Sequence, residues 1–546
     1  MRLLSAKKIA LFEAWFNTPY TNLCIKAIVF CIPVVIAISH GIDRPFQQEP
    51  DANVNWVYQT LLITEGMQQS SYAHTGFFHL VLMGFWFQFL DIIGVVSAST
   101  LSQVQNAAEH NAAFNDLVIA ARYFSAISIG AFSIAVYSGL RHFTGHRGIA
   151  AFMTVLFCFS PGVVEQAIRI HTELFSAMFA FAAFFLIAAA ARAHGWHGLL
   201  WLALAAACSI LAMYSKMQVL PLLLMLPVAA LAFGTRISAP QIDPLVRMEC
   251  SAVMTFCITS MAFSVIAITM IVAKVVILEG ATVIISPRIV LPIFIAYYLL
   301  SLLLYTRVYR PHWKPFVLGV SALAVGTSTG LYFIFVHNDP EVVTKLVNII
   351  DHMTVFSTAH EGATRLSQMD PISSHPLLLV TMINNFWVTL VRSFSFSAQE
   401  KNIIIGLYWV LAGGILWSLT TKKWLLAFQL FIFLGTAISM EAYCRIRYFA
   451  PWYNIYVEPW VLFGCAHLFS ALISNSHTAT LRTATNAKQT FLAAGMLASL
   501  VVMPFAVSDA FTDRIYRTDE SACPTITNEA PMLPKLTCYE RQSIKG

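Results

Sequence analysis

Long apolar runs dominate this chain, and several of them continue for about 17 residues or more with very few charged side chains. A run of that length is what an α-helix needs to cross the hydrocarbon core of a membrane. The strands of an outer-membrane barrel would instead alternate apolar and polar residues over about ten positions. Only 11% of the residues are charged, against about a quarter in soluble domains. The sequence therefore predicts an all-α polytopic membrane protein.

The basic residues of the short loops predict the orientation of the helices, because Lys and Arg concentrate on the cytoplasmic side of a membrane. Lys7, Lys8 and the basic turn at 141–147 are assigned to that side, which leaves the loop after the first helix outside. The net charge of +6 follows from such loops and does not indicate a nucleic-acid partner. We expect a bacterial inner-membrane protein whose external side faces the periplasm. The predicted organisation is a transmembrane bundle over 1–507, with large external loops at 40–121 and 337–401, and a short external tail at 508–546.

About thirteen transmembrane helices are predicted on this basis. Two further apolar segments, 80–98 and 377–391, are expected to lie along the membrane surface, since a crossing there would put basic turns outside. Asp91 in the first of them would also be costly at membrane depth. The run 56–66 is predicted to be amphipathic. The predicted transmembrane helices are 25–39, 121–140, 150–164, 174–191, 199–214, 219–233, 252–277, 289–305, 316–336, 403–419, 424–439, 449–473 and 491–507.

Three acidic residues at predicted external helix ends are candidates for catalysis. Glu49 and Asp51 follow the first helix, and Glu173 lies at the mouth of the fourth. Transfer of a sugar by single displacement needs a carboxylate that accepts the proton of the attacking hydroxyl. Carboxylates from two loops could also hold Mg²⁺ or Mn²⁺, so a divalent cation on Asp51 and Glu173 is an open cofactor. Taken singly, each acid also fits a solvated loop residue.

Four basic residues lie at predicted external positions, against the usual bias: Lys216, Arg288, Arg445 and Arg447. A polyprenyl-phosphate sugar donor would explain them, because its phosphate leaves as an anion that Lys and Arg stabilise. The alternative is that these side chains snorkel to lipid phosphate.

Aromatic and histidine side chains complete the predicted site. His74 is assigned to the donor phosphate, with the acceptor as the other option, although a single interfacial histidine also fits a structural role. Tyr58, Tyr72 and His171 are assigned to the sugar or the acceptor.

Several short motifs follow one another in a specific order. The acid-bearing loop at 49–51 leads to an aromatic helix that ends in Glu65-Gly66, and then come His74-Thr75-Gly76, Ala121-Arg122, Ser160-Pro161, Glu173, Ser215-Lys216 and the run 447–451. In this order and on one side of the membrane, they resemble the GT-C glycosyltransferases, notably the protein O-mannosyltransferase and lipid A aminoarabinose transferase branch. The resemblance covers the first six predicted helices and the twelfth.

The resemblance implies a GT-C bundle with periplasmic juxtamembrane helices, and it implies roles for three residues. Asp51 would be the catalytic carboxylate, with Glu49 beside it. Glu173 would be the acidic residue of the second loop, and Lys216 would contact the donor phosphate. The family's adjacent Asp-Glu pair is Glu-Pro-Asp here, which leaves open which acid is the base. Glu replaces Asp in the second loop, and His-Thr-Gly replaces the family's HPP element, so the sugar and the acceptor stay open.

The function implied is transfer of a sugar from a polyprenyl-phosphate donor to lipopolysaccharide, a cell-wall glycan or a protein. A lipid-linked sugar flippase or other transporter is one alternative, and it would require ionisable residues in mid-span that face a cavity. An O-antigen ligase or polymerase is the other, with an Arg-rich external loop.

Two cysteines differ from the rest because they lie in the polar tail. Cys523 and Cys538 could form a disulfide if the tail is periplasmic, with two free thiols as the alternative.

Overall fold

The described part of the chain is helical. A computed structural model describes residues 19–40, 42, 51–67, 69, 76–193, 195–234, 251–277, 287–310, 312–336, 375–394, 404–447, 453–476 and 532–533, and these contain no β-strand. The helices are α1 (Pro19–His40), α2 (Trp56–Thr64), α3 (Phe77–Ile92), α4 (Leu101–Asn106), α5 (His110–Thr144), α6 (Arg147–Cys158), α7 (Pro161–Ile168), α8 (Glu173–Ala190), α9 (Trp196–Ser215), α10 (Leu220–Leu224), α11 (Leu226–Gly234), α12 (Ala252–Ile277), α13 (Pro287–Val308), α14 (Trp313–Val336), α15 (His375–Ser393), α16 (Ile404–Thr420), α17 (Trp424–Arg447) and α18 (Asn454–Ser476). A π-helical turn, Asp51–Asn55, leads into α2, and a 3₁₀ turn, Met217–Val219, leads into α10.

Among the described residues, eight helices are long and apolar enough to cross a membrane, or nine if α6 and α7 form one bent crossing. These helices indicate a multi-pass membrane protein. Twelve of the thirteen predicted helices overlap helices of the structure, and α12 has the predicted bounds. The thirteenth, 491–507, lies outside the described residues. The predicted surface segments 80–98 and 377–391 correspond to α3 and α15, neither of which is a candidate crossing.

Hydrogen bonds between distant helices sort the helix termini into two ends of the bundle. At one end, the hydroxyl of Ser470 in α18 donates to the carbonyl of Thr144 at the end of α5, at 2.8 Å. At the other end, the guanidinium of Arg122 in α5 donates to the carbonyl of Ile42, just after α1, at 2.8 Å. Lys216 lies at this second end, which we call the Lys216 end.

The described residues between 51 and 120 form a compact lobe at the Lys216 end, which we call the juxtamembrane lobe. Side chains of α2, α3 and α4 share one apolar core with the start of α5. The seven residues from Trp56 to Leu62 are all buried. The prediction that 56–66 is amphipathic is therefore wrong, because the lobe covers α2 on every side instead of leaving one face in water.

Two residues of the predicted tail pack on this lobe. The side-chain amide of Gln105 donates to the carbonyl of Met532 at 2.7 Å, and Leu533 belongs to the core of the lobe. The juxtamembrane lobe and this part of the tail therefore lie on the same side of the membrane.

Asp91 lies near the end of α3. Its carboxylate was one reason to predict that 80–98 does not cross the membrane. Its Oδ2 accepts a hydrogen bond from the hydroxyl of Ser99 at 2.7 Å. The carboxylate thus has a polar partner within the lobe.

The predicted helix 150–164 is broken in the structure, where α6 and α7 meet at an angle of 57°. Ser160-Pro161-Gly162 accounts for the break, since proline is favoured as the first residue of a new helix. The carboxylate of Glu458 in α18 accepts from the backbone N–H of Gly162 at 3.1 Å and stabilises the start of α7. A Cβ atom on Gly162 would lie 2.5 Å from the backbone nitrogen of Ile455, so only glycine allows this approach.

The predicted end of the eleventh transmembrane helix, Ser439, is also wrong. Helix α17 continues to Arg447, and the predicted external turn 441–448 is helical over most of its length. The sequence between Ser439 and Arg447 contains no glycine or proline that would stop a helix. Glu441 is fully buried there.

Candidate active site at the Lys216 end

A buried ion pair joins two of the predicted site residues. Nζ of Lys216 lies 3.0 Å from Oε1 of Glu173, and the two side chains are 4% and 3% exposed. A charged pair this deep is stable only when each partner neutralises the other. The sequence predicted both residues for the site, but it assigned Lys216 to the donor phosphate and did not predict that Glu173 pairs with it.

The backbone around Lys216 is fixed by α8. Lys216 follows the last residue of α9, and its N–H donates to the carbonyl of Ala212 at 3.0 Å. The hydroxyl of Ser176, one turn after Glu173, lies 2.9 Å from the carbonyl oxygen of Ala212 and 3.1 Å from that of Lys216. The acid and the lysine are therefore held by two packed helices, not by mobile loops.

The juxtamembrane lobe contacts this pair directly. The ammonium of Lys216 lies 5.7 Å from the ring centroid of Trp56, within the range of a cation–π interaction. The N–H of Gly76 donates to the carbonyl of Ser215 at 2.9 Å. Gly76 has φ +45°, and a Cβ atom there would lie 2.5 Å from Cγ2 of Thr172. The lobe is thus seated on the residues that flank both members of the pair.

His171 forms the next part of the site. Its Nδ1 lies 3.9 Å from Oε2 of Glu173, which is an electrostatic contact beyond hydrogen-bond length. Burial lowers the pKa of His171 to about 4, with the positive charges of Arg169 and Lys216 acting in the same direction and Glu173 opposing them. His171 is therefore neutral at pH 7. Arg169 is paired with Glu165, at 3.2 Å.

Asp51, the predicted base, lies close in the chain to the residue that contacts Lys216. It begins the π-helical turn that runs into α2, five residues before Trp56. The position of its side chain lies outside the described part of the structure, as do Glu49, Tyr72 and His74 altogether. Their predicted roles stay predictions.

The other predicted basic residues lie in two later helices. Arg288 is the second residue of α13, and Arg445 and Arg447 lie in the last turn of α17. Their side chains, and both Cys523 and Cys538, lie outside the described part.

Tyr58, assigned to the sugar or the acceptor, is 1% exposed in the core of the juxtamembrane lobe. Burial raises the pKa of its hydroxyl. Its position is that of a packing residue and does not support contact with a substrate.

A divalent cation fits poorly beside Glu173. Mg²⁺ and Mn²⁺ prefer several oxygen ligands, whereas the nearest charged group to this carboxylate is an ammonium. Among the residues that the structure describes, no three His, Cys, Asp or Glu side chains come together as a metal site would require.

Sequence reasoning missed two residues that build the site. Trp56 entered the sequence analysis only as the first residue of a run predicted to be amphipathic, although it contacts Lys216. His79 was not predicted for the site, although it is fully buried beside α8. Their spacing from Gly76 carries no motif, so nothing in the sequence alone singled them out.

No protein-family model, curated protein or solved structure matches this chain.

Proposed function

We propose that this protein is an inner-membrane glycosyltransferase of the GT-C type, which transfers a sugar from a polyprenyl-phosphate donor to a periplasmic acceptor. One observation carries the proposal. Glu173 and Lys216 form an ion pair at one end of the bundle, and Trp56, five residues after Asp51 in the chain, contacts the same lysine. The resemblance described above requires these three segments to converge.

The proposed reaction is a single displacement with inversion. Asp51 accepts the proton of the acceptor hydroxyl while the hydroxyl oxygen attacks the anomeric carbon of the sugar. The bond between that carbon and the phosphate oxygen breaks, and polyprenyl phosphate leaves with the electron pair. Lys216 stabilises the charge on the departing phosphate, and Glu173 keeps the ammonium charged and in position until the donor arrives.

The proposed topology has about thirteen crossings, with the Lys216 end in the periplasm. The contact between Gln105 and Met532 supports it, since two segments in contact lie on one side and are separated by an even number of crossings. Thirteen crossings with the juxtamembrane lobe after the first meet that condition.

The test is transfer by the purified protein, offered a panel of polyprenyl-phosphate sugars with lipid, glycan and peptide acceptors, with products identified by mass spectrometry. Asp51→Asn should lower transfer by about 10²- to 10⁴-fold, the usual contribution of a general base. Glu109→Gln, an exposed acid of the same lobe, is the matched control and should retain activity. Full transfer by Asp51→Asn would remove Asp51 as the base. Movement of a lipid-linked sugar across vesicles without any transfer would favour a flippase instead.

A further inference from the structure

His79, in α3, is a buried polar side chain that the proposed mechanism leaves unused. It is fully buried, and its ring packs edge-on against Phe175, with centroids 5.2 Å apart, and against Phe124, at 5.5 Å. Within the described part of the chain, neither of its ring nitrogens has a hydrogen-bond partner.

An unsatisfied imidazole is costly in a protein interior, because both nitrogens lose their bonds to water and gain none in return. Phenylalanine would fill the same space between the two rings without that cost. Burial lowers the pKa of His79 to about 3, so the ring is neutral and carries one donor and one acceptor. A neutral imidazole is matched to a group that itself both donates and accepts.

Glu173 carries a second unsatisfied atom in the same region. Its Oε1 is taken by Lys216, but its Oε2 is buried and accepts no hydrogen bond from the described residues. Phe175, which contacts His79, lies two positions after Glu173 in α8, and the charge of Glu173 acts on the imidazole. Helices α3 and α8, which meet at the contact between His79 and Phe175, therefore each carry a buried polar group with an atom that lacks a hydrogen bond, although Nδ1 of His171 lies 3.9 Å from Oε2 of Glu173.

The position of His79 relative to α8 is fixed by the backbone. Gly76, one turn earlier, donates to Ser215 and lies against Thr172, the residue before Glu173. His79 is therefore placed on the site by the same contacts that seat the juxtamembrane lobe.

We propose that His79 and Oε2 of Glu173 together bind one hydroxyl group of the transferred sugar. A hydroxyl has one hydrogen to donate and lone pairs to accept, so it satisfies the carboxylate oxygen and an imidazole nitrogen at once. This subsite rests on the proposed glycosyl transfer and names the part of the donor that the site recognises.

The experiment compares wild type with His79→Phe on a polyprenyl-phosphate sugar that wild type transfers, and on the monodeoxy analogues of the same sugar. His142→Phe, an exposed histidine at the opposite end of the bundle, is the matched control. We expect His79→Phe to lower kcat/KM about tenfold or more on the natural donor, while its thermal unfolding midpoint is no lower than that of wild type. On one monodeoxy donor, wild type and His79→Phe should become equal, because the missing hydroxyl is the group that His79 binds.

Several results would overturn the subsite. His79→Phe could transfer the natural donor as well as wild type, or lose the same factor on every analogue. A clear drop in its unfolding midpoint would show that the imidazole is bonded in the free protein, for example to an internal water. If wild type itself transfers no sugar from any donor, the proposed function fails and the subsite with it, which is a different result from a competent wild type with an indifferent His79→Phe.

Discussion

Removing either member of the Lys216–Glu173 pair should destabilise the protein far more than removing both. At 3.0 Å, and with the effective dielectric constant of about 20 that suits protein sites, the attraction between the two charges is about 5.5 kcal/mol. Much of that offsets the loss of hydration of two side chains that are almost fully buried. Lys216→Met or Glu173→Gln alone leaves the other charge buried without compensation, which costs about 3–5 kcal/mol.

The double variant leaves no buried charge and should cost only about 1–2 kcal/mol. With each single variant costing about 3–5 kcal/mol, the double-mutant cycle then gives a coupling of about 4–9 kcal/mol. The cation–π contact with Trp56 is lost in both variants that lack Lys216, so it cancels in the cycle.

The measurement is reversible unfolding of the purified protein in mixed micelles of increasing SDS content, followed by circular dichroism. Arg169→Met and Glu165→Gln form the control cycle, since Arg169 is 17% exposed whereas both members of the Lys216–Glu173 pair are almost fully buried. We expect a smaller coupling there, because one partner is partly hydrated. A coupling for Lys216 and Glu173 as small as the control value would refute the reasoning that burial makes this pair strong.

Three further predictions follow from the same contacts. Gly76→Ala should lose about 1–3 kcal/mol of unfolding free energy more than Gly66→Ala. Both glycines have positive φ, but only the methyl group added at position 76 would collide with a neighbour. Equal losses in a parallel denaturation series would contradict this. Gly162→Ala should be destabilised by about 1–3 kcal/mol relative to Gly148→Ala, also the second residue of its helix but in open space, and an unchanged melting temperature would count against the close approach of α18. The pKa of His171 lies at about 4 in the folded protein, against an ordinary value of 6.5. Its contribution to stability is therefore complete above pH 6.5 and falls as the pH drops toward 4. The thermal midpoint of His171→Asn should fall less than that of wild type over this range, and parallel curves for the two proteins would exclude the effect.

The sequence predicted the helices well because membrane helices depend on a local property, the length of an apolar run. The bounds of α12 illustrate this, since polar Ser251 precedes its first residue and Glu279 comes two positions after its last residue, Ile277. The break before Pro161 and the continuation of α17 to Arg447 were not predicted. The break before Pro161 depends on Glu458 from a distant helix. The continuation of α17 depends on whether other parts of the protein bury its last turns.

The site was predictable only in part. The positions of Glu173 and Lys216 at helix ends follow from hydropathy, but their pairing across 43 positions depends on how α8 packs on α9. The amphipathic pattern of 56–66 predicted a solvent-exposed face. Trp56 is buried instead, because the rest of the juxtamembrane lobe packs around it. The sequence could not predict that the ring nitrogens of His79 lack hydrogen bonds, since it does not show which polar groups lie near a histidine.

The contact of Met532 and Leu533 with the juxtamembrane lobe has a consequence for biosynthesis. Gln105 and Met532 are 427 positions apart. At about 5–20 residues per second, a ribosome needs roughly 20–85 s to make the chain between them. Throughout that interval the nascent lobe lacks one side chain of its core, so the surface that Leu533 covers stays exposed until that residue has been made.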